Sequence, residues 1–154
     1  MIKVSDSQID IIVARRFKKA NERCGLKNYI KPSRQVMKEV LIESLKNSFK
    51  CEYCKREMRL NDYDSIKYFT YDHIIPLSHK GTQEKDNLIL CCIGCNLLKQ
   101  NYSYELTMEL HKYLPISIID RLSYQVKRTI EEYKINEIKL RKIIMSQSKL
   151  INGR

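Results

Sequence analysis

"DHIIPLSHKGTQEKDNLILCCIGCNLLKQ", residues 72–100, is the stretch on which the fold turns. It opens with a carboxylate beside an imidazole, Asp72 and His73, inside a Tyr-rich run, "DYDSIKYFTYDHII", that has strand propensity. Pro76 breaks the run, a polar loop follows, and "NLILCC" supplies a second short strand. "IGCNLLKQN" then reads as the start of a helix. Neighbouring residues on a strand point to opposite faces. One of the pair can therefore bind a metal while the other attacks or deprotonates something.

Working outward, two cysteine pairs bracket this hairpin. Cys51 and Cys54 form one C-x-x-C, and Cys92 and Cys95 form the other, with 37 residues between the pairs. Two residues between thiolates let a tight turn aim both sulfurs at one ion, and two such turns complete a tetrahedral four-thiolate zinc site. Such a site is closed, cannot activate water, and is structural. A redox C-x-x-C is the competing reading, but two pairs around a hairpin favour the metal. Cys91 could replace Cys92 as a ligand, although Cys92 has the spacing to Cys95. Cys24 and Cys91 otherwise read as small buried hydrophobes.

The flanks differ from the centre in both composition and charge. The chain has 154 residues, a net charge of +11 and a hydrophobic fraction of 43%, enough for a folded core. Residues 1–50 hold 12 Lys/Arg against 5 Asp/Glu, residues 51–99 hold 7 of each, and residues 100–154 hold 10 against 6. Excess cationic charge on the flanks points to a polyanionic partner, with nucleic acid first. No apolar run approaches the ~18 residues of a membrane span. "MIKVSDSQID" carries Asp6 and Asp10 and no continuous apolar stretch, so it does not read as a secretion signal, and the cytoplasm is the expected location.

Helical periodicity dominates both flanks. "SQIDIIVARRFKKANERCG" places Ile9, Ile12, Val13, Phe17 and Ala20 on one side and predicts a stop at Gly25. A second helix follows Pro32 with Ser33 as N-cap and Val36, Val40, Leu41 and Leu45 as its apolar stripe. Ser103 caps "YELTMELHKYL", on whose surface His111 is expected to lie. A longer helix is predicted from about Ile118 to Met145, with Ile119, Leu122, Val126, Ile130, Tyr133, Leu140 and Ile144 on one side. That stripe can fold back on the N-terminal helices or form a homodimer. The plan is a basic helical segment over 1–50, a motif-bearing core over 51–102 and a helical segment over 103–154, packed as one unit.

Hydrolysing a phosphodiester needs an activated water, charge stabilisation at phosphorus and help for the leaving oxygen. A neutral histidine suits the first task. A hard divalent ion on oxygen ligands suits the other two, and Asp72 and Asn96 offer a carboxylate and an amide oxygen. Mg2+ fills its remaining positions with water and phosphate, so few protein ligands suffice.

With these residues in order, "DHIIPLSHKG…DNLILCCIGCNLLKQ" resembles the HNH endonucleases, in an H-N-N version formed by His73, Asn87 and Asn96. The resemblance covers residues 51–100 and includes the zinc-binding C-x-x-C pairs. It implies an α+β, mostly helical protein built round a zinc-stapled ββα-metal motif. It also implies metal-dependent cleavage of DNA, with His73 as general base and Asp72 and Asn96 on a catalytic Mg2+ or Mn2+. Asn87 would hold the loop and orient His73 through hydrogen bonds to backbone. Asn96 stands where many members have histidine; its harder amide oxygen favours Mg2+ or Mn2+. His79, Lys80, Lys99, Arg15, Arg16 and Lys19 are candidate contacts to nucleic acid. A zinc-stapled DNA-binding or adaptor module without activity is the rival expectation. A nuclease working within a phage packaging or restriction assembly is a third.

Overall fold

The computed structural model describes residues 4–27, 29–63, 65–100, 102–129 and 131–132. It is a mostly helical α+β protein. Helices α1 (Asp6–Leu26) and α2 (Arg34–Lys46) precede a two-stranded antiparallel sheet, β1 (Phe69–His73) and β2 (Leu88–Cys92). Helix α3 (Ile93–Lys99) leaves β2 directly, and α4 (Tyr104–Tyr113) and a helix over residues 116–129 follow.

Local chemistry sets several boundaries. Ser5 and Gln8 form a reciprocal capping box that starts α1. Ser33 caps α2 by accepting from the Val36 amide, and Ser103 caps α4 by accepting from the Leu106 amide. Helix α1 runs through Gly25 to Leu26, because a glycine in the last turn costs only about 1 kcal/mol. The strand expected over the Tyr-rich run is shorter than its propensity suggests. Residues before Phe69 turn instead, and the Tyr68 and Ile66 carbonyls accept the Ile93 and Gly94 amides (both 2.9 Å). Those contacts satisfy the first turn of α3, whose Cys92 N-cap offers no side-chain cap.

The register pairs Phe69 with Cys92, Tyr71 with Leu90, and His73 with Leu88. Pleating sends Phe69, Tyr71 and His73 to one face. There the Tyr71 hydroxyl donates to the Met37 carbonyl of α2 (2.7 Å), and Arg16 of α1 lies over the Phe69 ring. The opposite face carries Asp72 toward Tyr53 and α3. The hairpin is thus a partition between the α1–α2 layer and the α3 layer. Val13, Leu41, Phe49, Phe69 and Ile119 are its most deeply buried apolar anchors. Each such side chain contributes about 1.5–3 kcal/mol of burial.

The last helix begins two residues before the expected Ile118. Buried Ser123 donates to the Gly94 carbonyl of α3 (3.0 Å) and joins that helix to the hairpin layer. Ile119 is buried as its stripe implies, whereas Ile130, Tyr133, Leu140, Ile144 and the dimer surface expected of them lie outside the described residues.

Between the strands, the loop closes on itself around Gly81. A Cβ there would stand 1.9 Å from the Ile75 carbonyl oxygen, a backbone atom that cannot rotate away. Gly81→Ala is therefore expected to destabilise the protein by roughly 1–3 kcal/mol in urea denaturation. A change within about 0.5 kcal/mol would show that the loop has slack at this point.

Candidate active site and metal centre

Four cysteines converge first. The Sγ atoms of Cys51, Cys54, Cys92 and Cys95 all lie within 4.8 Å of one another. Zn–S bonds of about 2.3 Å in a tetrahedron require sulfurs roughly 3.8 Å apart, and Cys54 and Cys92 stand 3.9 Å apart. The donor set and spacing fit one closed zinc ion. Two donors also point at the sulfurs, as thiolates need. The Cys92 amide points at Cys51 (3.3 Å) and Arg56 Nε donates to Cys54 (2.9 Å). His111 Nε2 lies 3.2 Å from Cys95.

Two of these neighbours were not expected. His111 is not a bland surface residue: its Nδ1 donates to the Thr107 carbonyl (2.7 Å), and its ring packs 5.8 Å from that of Tyr53. Arg56 continues past Cys54 to pair with Asp120 at 2.5 Å, tying the first knuckle to the helix over 116–129. A positive or polar shell of this kind offsets the net charge of four thiolates on one divalent ion.

The second centre lies along the outer edge of β1. A cavity of about 200 Å³ is lined by consecutive β1 residues including Asp72 and His73, by Asn96 of α3, and by Arg16, Arg23 and Lys27. A second hollow of about 180 Å³ shares Lys27, Asp72 and His73 with it.

His73 is braced by a residue that the sequence did not single out. Gln83 Nε2 donates to the Ile30 carbonyl (2.9 Å), which fixes its amide so that Oε1 faces His73 Nε2 at 2.9 Å. A carbonyl oxygen only accepts, so Nε2 must carry the proton. In the neutral ring Nδ1 is then bare, and it has no partner among the described residues. Burial pulls the His73 pKa below its ordinary value, while Gln83 and Asp72 raise it and Lys99 and Arg23 lower it. The imidazole is therefore held as a neutral acceptor at pH 7.

Asp72 is 7% exposed and accepts from the Tyr53 hydroxyl at 2.7 Å. Burial, then the Asp72 charge, pushes the Tyr53 pKa well up, so that hydroxyl stays a donor. Lys99 is not a surface contact. It is 1% exposed, donates to the His73 carbonyl (2.9 Å) and stands 3.4 Å from Asp72 Oδ2. Tyr53 and Lys99 occupy part of the carboxylate's roughly four lone-pair directions. The Asn96 amide has no hydrogen-bond partner among the described residues. A carboxylate with spare lone pairs and a free amide oxygen on one cavity suit a hard cation that keeps most of its water.

Asn87 clamps the loop through three bonds. Its Oδ1 accepts from the Ile75 amide (2.7 Å), and its Nδ2 donates to the carbonyls of Ile75 (3.1 Å) and Thr82 (2.9 Å). It has no direct bond to His73; that contact belongs to Gln83. Arg15 turns instead to the Tyr63 hydroxyl (2.8 Å), and His79, Lys80 and Lys19 are exposed outside both hollows.

Residues 51–102, one third of the chain, match the family model described as HNH endonuclease. No curated protein matches the chain.

Protein purified without chelator is expected to contain about one zinc per chain, lost in Cys92→Ala and kept in Cys91→Ala. The reverse pattern in elemental analysis would assign the fourth ligand to Cys91.

Proposed function

We propose that this protein is a metal-dependent endonuclease that hydrolyses DNA phosphodiester bonds at the β1 edge. The observation that carries this is the meeting of Asp72, His73 and Asn96 on one cavity, with the imidazole held as its Nε2–H tautomer. His73 takes the proton from the attacking water at Nδ1 as the water oxygen adds to phosphorus. The bond from phosphorus to the 3′-oxygen breaks and that oxygen takes a proton from solvent, leaving 5′-phosphate and 3′-hydroxyl ends. Gln83 holds the imidazole throughout, because its own amide is anchored on Ile30 outside the domain match. Asn87 keeps the loop closed behind it. Asp72 and Asn96 would hold Mg2+ or Mn2+, which supplies charge neutralisation at phosphate and at the leaving oxygen. The four-cysteine zinc is structural, and helices α1, α2, α4 and the helix over 116–129 support the core over 51–102.

One observation favours the rival module without activity. Lys99 already neutralises Asp72, and a buried cation beside the carboxylate weakens its hold on a second one. Cleavage decides between them. Supercoiled plasmid with Mg2+ or Mn2+ is expected to be nicked or linearised by the wild type and protected by EDTA. His73→Ala should cut about 10²–10⁴-fold more slowly. Equal inertness of both proteins, with DNA binding and zinc content intact, would support the binding module.

A further inference from the structure

The first cavity has a wall that the HNH domain does not supply. Arg16, Ala20 and Arg23 recur at i, i+4 and i+7 along α1, and Lys27, the residue capping its C-terminal end, continues that stripe. All four line the cavity that also holds Asp72, His73 and Asn96. None of the three cations has a carboxylate partner among the described residues. Arg16 is fixed by the Phe69 carbonyl and lies 4.2 Å over the Tyr68 ring. Arg23 and Lys27 have no side-chain bond among the described residues. The acid on this cavity, Asp72, is already matched by Lys99. Three cations thus face one hollow with no carboxylate partner of their own among the described residues.

Of the other basic residues of α1, Arg15 donates to the Tyr63 hydroxyl, and Lys18 and Lys19 are exposed outside the hollow. From Arg16 to Lys27 the stripe covers roughly 16 Å of helix axis. That length spans several successive phosphates of one DNA strand, whose rise is about 3.4 Å per residue of duplex.

We propose that the α1 stripe Arg16–Arg23–Lys27 is the backbone-binding subsite of the enzyme, gripping the phosphates of the cut strand beside the scissile one. It rests on the nuclease reading only for the identity of the central phosphate. Arg23 and Lys27 carry the contact, and Arg16 forms its rigid end. Phosphate contacts of this kind position the strand without reading sequence.

The test measures binding with cleavage removed. In the His73→Ala background, affinity for a short DNA duplex is followed against salt by fluorescence anisotropy. Each phosphate contact contributes about 0.9 to the slope of log K against log salt. Adding Arg23→Gln and Lys27→Gln should reduce that slope by roughly 2, whereas Lys18→Gln with Lys50→Gln should leave it unchanged. An unchanged slope in the first pair, or an equal loss in the second, overturns the subsite. Zinc content and circular dichroism of each variant confirm folding. Because the readout is binding, a wild type that fails to cut plasmid counts against the nuclease reading and leaves this result standing.

Discussion

The four-cysteine cluster is the constraint on which the rest depends. A two-stranded hairpin is marginal in water by itself, and here β1 and β2 are only five residues each. One knuckle lies before β1, and the other spans the end of β2 and the start of α3. An ion on all four sulfurs would join those points and thereby set the angle of α3 to the hairpin. Asn96 follows Cys95 directly, so that angle also places Asn96. Arg56 and His111 extend the restraint to the helix over 116–129 and to α4.

The partition made by the hairpin explains why a carboxylate and an imidazole sit side by side. His73 belongs to the face turned to α1 and α2, where Gln83 and the backbone after α1 brace it. Asp72 belongs to the face turned to Tyr53 and Lys99. Both reach the outer edge of β1, where they share a cavity. A buried Asp72–Lys99 pair is costly to break, since either partner alone is an uncompensated charge worth about 3–5 kcal/mol. That pair fixes the carboxylate as firmly as Gln83 fixes the imidazole. Asn96 stays free for another partner.

The legible parts of this molecule rest on local rules. C-x-x-C spacing marked the knuckles, Ser33 and Ser103 marked helix starts, and the ordered Asp72–His73–Asn87–Asn96 set marked the hairpin and its helix. Gln83 was illegible because its importance lies in two long-range bonds, to His73 and Ile30, while locally it is one polar residue in a polar loop. His111 looked like a surface histidine because nothing in the local pattern of its helix points to a cysteine, and only packing brings it to Cys95. Lys99 could be placed on α3 but not turned inward without knowing that Asp72 faces that helix. Arg23 and Lys27 were hidden among the many basic residues of α1, since the stripe has meaning only once one face of the helix is known to border a cavity.

The most direct test of the edge site is Mn2+ binding to zinc-loaded protein, followed by electron paramagnetic resonance with no DNA present. Asn96 is the informative position, because its amide supports nothing else among the described residues and Asn96→Ala should leave the fold intact. One Mn2+ site per chain is expected, weakened at least about tenfold by Asn96→Ala and by Asp72→Asn. Mn2+ bound equally well by wild type and Asn96→Ala would contradict the assignment of a metal between β1 and α3.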